Sequence, residues 1–121
     1  ILGCGAHLTQ LTRLASGGFN LTDAITLAQL EQDELCVRDG RLAAVDGLIN
    51  YLPSIQISLS AANSLLRGQQ PCYDGEIGEA GLLRAYYEST FLGLVNLLSS
   101  GVIVPQRLMR INPQEVEHEV L

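Results

Sequence analysis

Two adjacent glycines, Gly17-Gly18, set between an apolar repeat and a capping signal, constrain this chain more than any other stretch. Upstream, Leu8, Leu11, Leu14 and Ala15 recur at spacings that place them on one face of a helix from about Ala6 to Ser16. Glycine accepts the left-handed backbone that a helix C-cap requires, so Gly17 and Gly18 end it. Downstream, Asn20 offers an N-cap with Asp23 three residues on, and Phe19 and Ala24 stand where a hydrophobic staple closes. A second helix is therefore expected from Leu21 to about Leu35, burying Leu21, Ala24, Ile25, Ala28 and, at its end, Leu35, with Glu31 to Glu34 solvated. Helix, tight turn and helix is an architectural statement, and it names no function.

The rest of the chain continues the pattern. Leu42, Val45, Ile49 and Leu52 step by three, four and three, a seam that wants a partner helix, with Asp39 as cap and Pro53 as stop. Ser54 to Ser60 is open to two readings. It alternates as a half-buried strand does, yet Ile55, Leu59, Ala62 and Leu66 share a helical face, with Ser54 as N-cap and Gly68 as stop. The helical pattern is the longer, and it predicts a helix. Gln69 to Gly78 holds Pro71, Gly75 and Gly78 and reads as a loop. In Glu79 to Ser99, Leu83, Tyr86, Tyr87, Thr90, Phe91, Leu94, Val95 and Leu98 cover nearly half a helix circumference, which predicts a central helix ended by Gly101. Pro105 to Arg110 forms a short helix on this reading, and Asn112-Pro113-Gln114-Glu115 sets up a last one. The spacing of Leu11, Leu14, Ser16, Gly17 and Phe19 partly recurs in Val95, Leu98, Ser100, Gly101 and Ile103, as if one helix–turn–helix solution were used twice. The fold expected is all-α: a single domain over residues 1–121, a bundle of five to seven mostly antiparallel helices. Because the chain opens at Ile1 without Met, it is expected to be trimmed or excised from a longer one.

Composition enters as a filter on function. With 47% apolar residues among 121, disorder is not expected. The apolar run Phe91 to Leu98 and Val102 to Val104 is interrupted by Ser99-Ser100-Gly101, and a span needs roughly 20 apolar residues, so direct membrane insertion is not expected. Net charge is −6, every basic residue is arginine, and acids cluster at Glu31–Asp39, Asp74–Glu79 and Glu115–Glu119. Phosphate binding needs clustered positive charge, so nucleic acid is not expected as a partner of this chain taken alone, and anionic membrane surfaces are disfavoured for the same reason. Three cysteines, an odd count, point to a reducing compartment and hence the cytoplasm.

Chemistry-bearing residues are sparse. Cys4, His7, Cys36 and Cys72 are zinc-ligand types, but only one pair is local, and three small core cysteines are expected instead. A thiol meeting His7 or His118 would make a nucleophile pair, yet His118 sits among acids on what reads as a solvated face. Asp74 with Glu76, and Glu115 with Glu119, read as solvated acidic segments, since acid–base pairs need unequal environments. There is no phosphate-cradling glycine loop, nucleophile elbow or metal-binding helix motif. No catalytic or metal residue is assigned and no cofactor is expected. Tyr73 and the trio Tyr86, Tyr87 and Phe91 are aromatic, and the trio on the expected central helix is the candidate partner-binding set.

Two family resemblances attach to the pivot. Gly18, Phe19, Leu21, Ala24 and Ile25, followed by Ser58-Leu59-Ser60-Ala61, Gly75-Glu76 and Gly78, resemble the cytoplasmic helical repeats of the inner-membrane platform protein of type II secretion and type IV pilus machines. That resemblance implies a cytoplasmic helical assembly domain, although no membrane helix follows. Gly18 to Ile25 is also similar to the second half of a MerR-type regulator's DNA-binding domain, but Pro53 would break the dimerisation helix that should follow. The function expected from the residues is a non-enzymatic helical interaction or assembly module whose partner is a protein or a second copy, a homodimer included. A small helical enzyme or ligand-binding domain is the competing class.

Overall fold

The computed structural model describes residues 2–112 and falls into two compact units, residues 1–49 and 50–121. It corrects the all-α expectation: among the described residues there are three α-helices and six strands in two sheets. The last expected helix, with Glu115, His118 and Glu119, lies outside them.

In the first unit the glycine pair does a different job. Gly17 and Gly18 have φ of +56° and +85° and form the two-residue turn of a hairpin between β1 (Ala15–Ser16) and β2 (Phe19–Asn20). Two successive positive φ values are what the strand twist asks of such a turn, and glycine supplies both without strain. The Leu21 amide donates to the Leu14 carbonyl (2.8 Å) and lengthens the ladder. Among the described residues no helix forms before Ala15. Asn20 caps nothing with its side chain, and the expected second helix splits into a 3-10 turn (Leu21–Asp23), α1 (Leu27–Gln32) and α2 (Leu35–Gly40). The capping box belongs to Thr26, whose hydroxyl accepts from the Gln29 amide while the Gln29 side chain accepts from the Thr26 amide. Arg38 then donates to the carbonyls of Asp33 (2.9 Å) and Glu31 (3.0 Å), and Arg41 pairs with the Asp33 carboxylate. The expected third helix is reduced to a 3-10 turn at Gly47–Ile49.

The second unit is a four-stranded sheet, order β3-β4-β5-β6, with β3 (Ser54–Gln56), β4 (Gly81–Tyr87), β5 (Thr90–Leu97) and β6 (Ile103–Leu108). β3 runs parallel to β4 and the other pairs are antiparallel. Both readings of Ser54 to Gly68 prove half right. The alternating start is β3, and α3 (Leu59–Leu66) follows with Ser58, not Ser54, as its cap, its hydroxyl accepting from the Ala61 amide (3.3 Å). Ala61, Ala62 and Leu65 of α3 join Ile57, Leu83, Ala85, Leu92, Val95, Leu97 and Ile103 in the core.

The expected central helix, Glu79 to Ser99, is instead the β4–β5 hairpin, turned at Glu88-Ser89. Two bulges mislead the periodicity. Leu92 is an extra residue against β4, and the β5–β6 register slips between Leu94 and Val95. Each extra residue switches which parity faces inward, so a two-residue period imitates a helical one. Between the bulges Gly93, at φ +138°, lies so close to β6 that an added Cβ would strike the Arg107 carbonyl oxygen and sit 2.7 Å from the Leu108 Cα. Pro105 is tolerated because β6 is a sheet edge.

Candidate functional site

Strand pairing sorts the sheet residues into two faces, because directly paired positions project the same way. Ile55, Leu83, Ala85, Val95, Leu97 and Ile103 face α3 and the core. The opposite face carries one row of Ser54, Arg84, Leu94 and Arg107, and a second of Gln56, Tyr86 and Phe91. A third row, Leu82, Asn96 and Val104, completes it. None of these positions is acidic.

This outer face is organised by Arg84. Its Nε donates to the Leu52 carbonyl (2.9 Å) and its Nη1 to the Tyr86 hydroxyl (3.0 Å), while the guanidinium carbon stands 5.7 Å from the centre of the Tyr86 ring. Tyr86 and Phe91 pack at 5.4 Å between ring centres, tilted by 51°. Gln56 is held at the hairpin tip, its Nε2 donating to the Glu88 carbonyl (3.0 Å). Arg107 is exposed. A guanidinium against a pair of aromatic rings, with the exposed Arg107 two strands away on the same face, suits a ligand that is both anionic and planar: guanidinium forks match phosphate, and aromatic faces stack on bases.

Beyond the sheet, the 69–80 segment is stitched to the start of β6, with the Tyr73 amide donating to Gly101 (2.7 Å) and the Ile103 amide to Pro71 (2.8 Å). Tyr73 is the common wall of two clefts. One, about 290 Å³, lies towards Gln56, Ser58 and Asp74; the other, about 330 Å³, lies towards Pro53, Glu76 and Glu79.

Of the sequence-derived candidates, Tyr86 and Phe91 meet on the outer face, whereas Tyr87 packs against the core. Asp74 and Glu76 line different clefts. Cys4, Cys36 and Cys72 are free and exposed, which corrects the expectation of core cysteines. Among the described residues no three His, Cys, Asp or Glu side chains come together to hold a metal. Arg84, Arg107 and Gln56 were missed. Their signal is the alternation of Leu82, Arg84 and Tyr86 with Leu83, Ala85 and Tyr87, legible only once a strand is assumed. No helix among the described residues is long and apolar enough to cross a membrane.

Comparison with known proteins overturns the functional expectation. Residues 1–54 match the family model described as the tRNA pseudouridylate synthase B C-terminal domain, and residues 53–109 match that described as Pseudouridine synthase II TruB, C-terminal. The tRNA pseudouridine synthase B of Aromatoleum aromaticum is 42% identical over 112 residues, 90% of this chain and 35% of that protein. Its counterpart in Chromohalobacter salexigens is 39% identical over 113 residues, 89% of this chain and 36% of its own length. That of Methylobacillus flagellatus is 43% identical over 110 residues, 90% of this chain and 36% of its own. The chain thus spans little more than a third of the relatives it matches. These findings replace the helical interaction module, its protein or homodimer partner and the secretion-platform alternative.

The exclusion of nucleic acid falls too, since the relatives are tRNA-modifying enzymes by name. Its physical flaw was averaging charge over the whole chain. Between residues 50 and 112, Arg67, Arg84, Arg107 and Arg110 balance Asp74, Glu76, Glu79 and Glu88, so the acid excess lies elsewhere. Over nine-tenths of its length the chain is similar, in two successive family domains, to the C-terminal portion of tRNA pseudouridine synthase B.

Proposed function

We propose that this chain is the C-terminal portion of a tRNA pseudouridine synthase B, working in the cytoplasm, and that its second unit contacts tRNA through the outer face of the sheet. The observation that carries the reading is the 42% identity sustained over 90% of the chain. The face supports it, with Arg107 exposed for a phosphate and the Tyr86–Phe91 pair, whose tyrosine hydroxyl is held by Arg84, placed for an unpaired base.

A chimera tests the function. The equivalent third of the Aromatoleum aromaticum enzyme is replaced by residues 1–121, and pseudouridine formation on tRNA is measured against the enzyme truncated at the same point. The chimera should exceed the truncated enzyme by at least about tenfold in kcat/KM, a difference of about 1.4 kcal/mol in transition-state stabilisation. Equal rates from a folded chimera would sink the reading. In the same chimera Arg107→Gln should weaken tRNA binding uniformly and flatten the dependence of log K on log salt by about 1, one phosphate contact fewer. An unchanged slope would remove Arg107 from the interface.

A further inference from the structure

We propose that the outer face of the sheet selects an unpaired adenine and that Gln56 reads it; this rests on the tRNA reading above and names the base that the face takes. Gln56 is exposed and in register with Tyr86, which is in register with Phe91. An amide therefore stands at the end of a row whose other members are an aromatic pair with ring centres 5.4 Å apart.

That amide has a fixed orientation. Its Nε2 donates to the Glu88 carbonyl (3.0 Å), and a carbonyl only accepts, so turning the amide over would set oxygen against oxygen. Among the described residues Glu88 is the one non-glycine with a positive φ, +51°, and such a backbone persists where its surroundings over-determine it. The Gln56 bond is one of those constraints. It uses one Nε2 hydrogen and leaves the other, with Oε1, for a ligand beside the rings. An acceptor next to a donor matches the amino group and neighbouring ring nitrogen of adenine, and those of cytosine as well. Guanine and uracil present a carbonyl and an N–H in the same places, which sets like against like. The aromatic pair separates the two amino bases, because the larger purine covers more of Tyr86 and Phe91. Arg107, exposed in the adjacent row about 7 Å along the strands, is placed for a phosphate flanking the stacked base.

Fluorescence anisotropy of uridine hexamers carrying one central adenosine, titrated with the full 121-residue chain, tests this. Uracil is the rejected base, so the flanks supply little beyond phosphates. The adenosine oligomer should bind at least about tenfold more tightly than its guanosine counterpart, and more tightly than the cytidine one. Purine in place of adenine, lacking only the amino group, should lose at least about threefold. Gln56→Met, similar in length but without the amide, should bring adenine, guanine and purine within about twofold of one another. A purely structural role for Gln56 would lower all three affinities together and keep their ratios, which would overturn the proposal. In the unaltered chain, guanine, cytosine or purine bound as tightly as adenine would overturn it too, as would no detectable binding of the adenosine oligomer. Binding of tRNA by the same chain is read separately. Adenine selectivity without it refutes the tRNA reading alone, and tRNA binding without selectivity refutes this one alone.

Discussion

Replacing Gly93 with valine should unfold the second unit. Any side chain at φ +138° is strained, and here the obstructing atoms are the backbone of Arg107 and Leu108, which cannot withdraw without parting β5 from β6. A domain of this size has roughly 3–9 kcal/mol of stability, and the combined strain and collision should cost at least about 3 kcal/mol. At about 4–8 °C per kcal/mol, the melting temperature should drop by at least about 12 °C. Gly78→Ala is the control, since nothing lies within 4 Å of the added methyl and no positive φ is required there. Circular dichroism melts that coincide for the two variants would show that β6 yields, and that the close approach is not what holds the edge.

The second large effect is expected at Leu65. It is fully buried on the inner face of α3, in contact with a core drawn from three strands and the helix. Leu65→Ala should cost about 2–5 kcal/mol, the spread depending on how far Ala62 and Ile103 settle into the space. Leu82→Ala, on the opposite face and 44% exposed, should cost under about 1 kcal/mol. Denaturant midpoints for the two variants measure the difference directly. Equal losses would mean that the helix does not seal the sheet.

How much of this was legible in the sequence depended on which period each segment obeyed. Leu59 to Leu66 was legible as helix because its apolar spacing and Gly68 (φ +78°) agree, although the cap is Ser58 where Ser54 was expected. β4 and β5 were not, because the extra residue at Leu92 turns alternation into spacings of three and four, and because both strands are almost continuously apolar. Gly17-Gly18 was rightly identified as a reversal, but a helix C-cap and a tight hairpin turn require the same left-handed glycine, so the residues alone do not choose. Phe19 decides, since its ring lies against Gly47, a contact that sequence spacing does not contain. The apolar positions of residues 8–14 misled for a further reason. Leu8, Leu11 and Leu14 are all exposed, so their spacing reflects no packing among the described residues. Tyr86 and Phe91, singled out for their chemistry, do lie together, but on two strands and not on the expected helix. Arg84 and Arg107 were hidden by a net charge of −6 that belongs mostly to other segments.

The pairing of β3 with β4 also fixes an order of events during synthesis. Ser54 lies in register with Arg84, 30 residues later, whose backbone amide donates to the Pro53 carbonyl and whose Nε donates to that of Leu52. At translation rates of about 5–20 residues per second, β3 waits about 1.5–6 s for its partner strand to be made. The β4–β5 hairpin, closed by two residues, can zip within microseconds of its completion. The nascent chain therefore carries Ile55 and Ile57 unpaired until that hairpin appears, and the first strand of the sheet is captured by later ones.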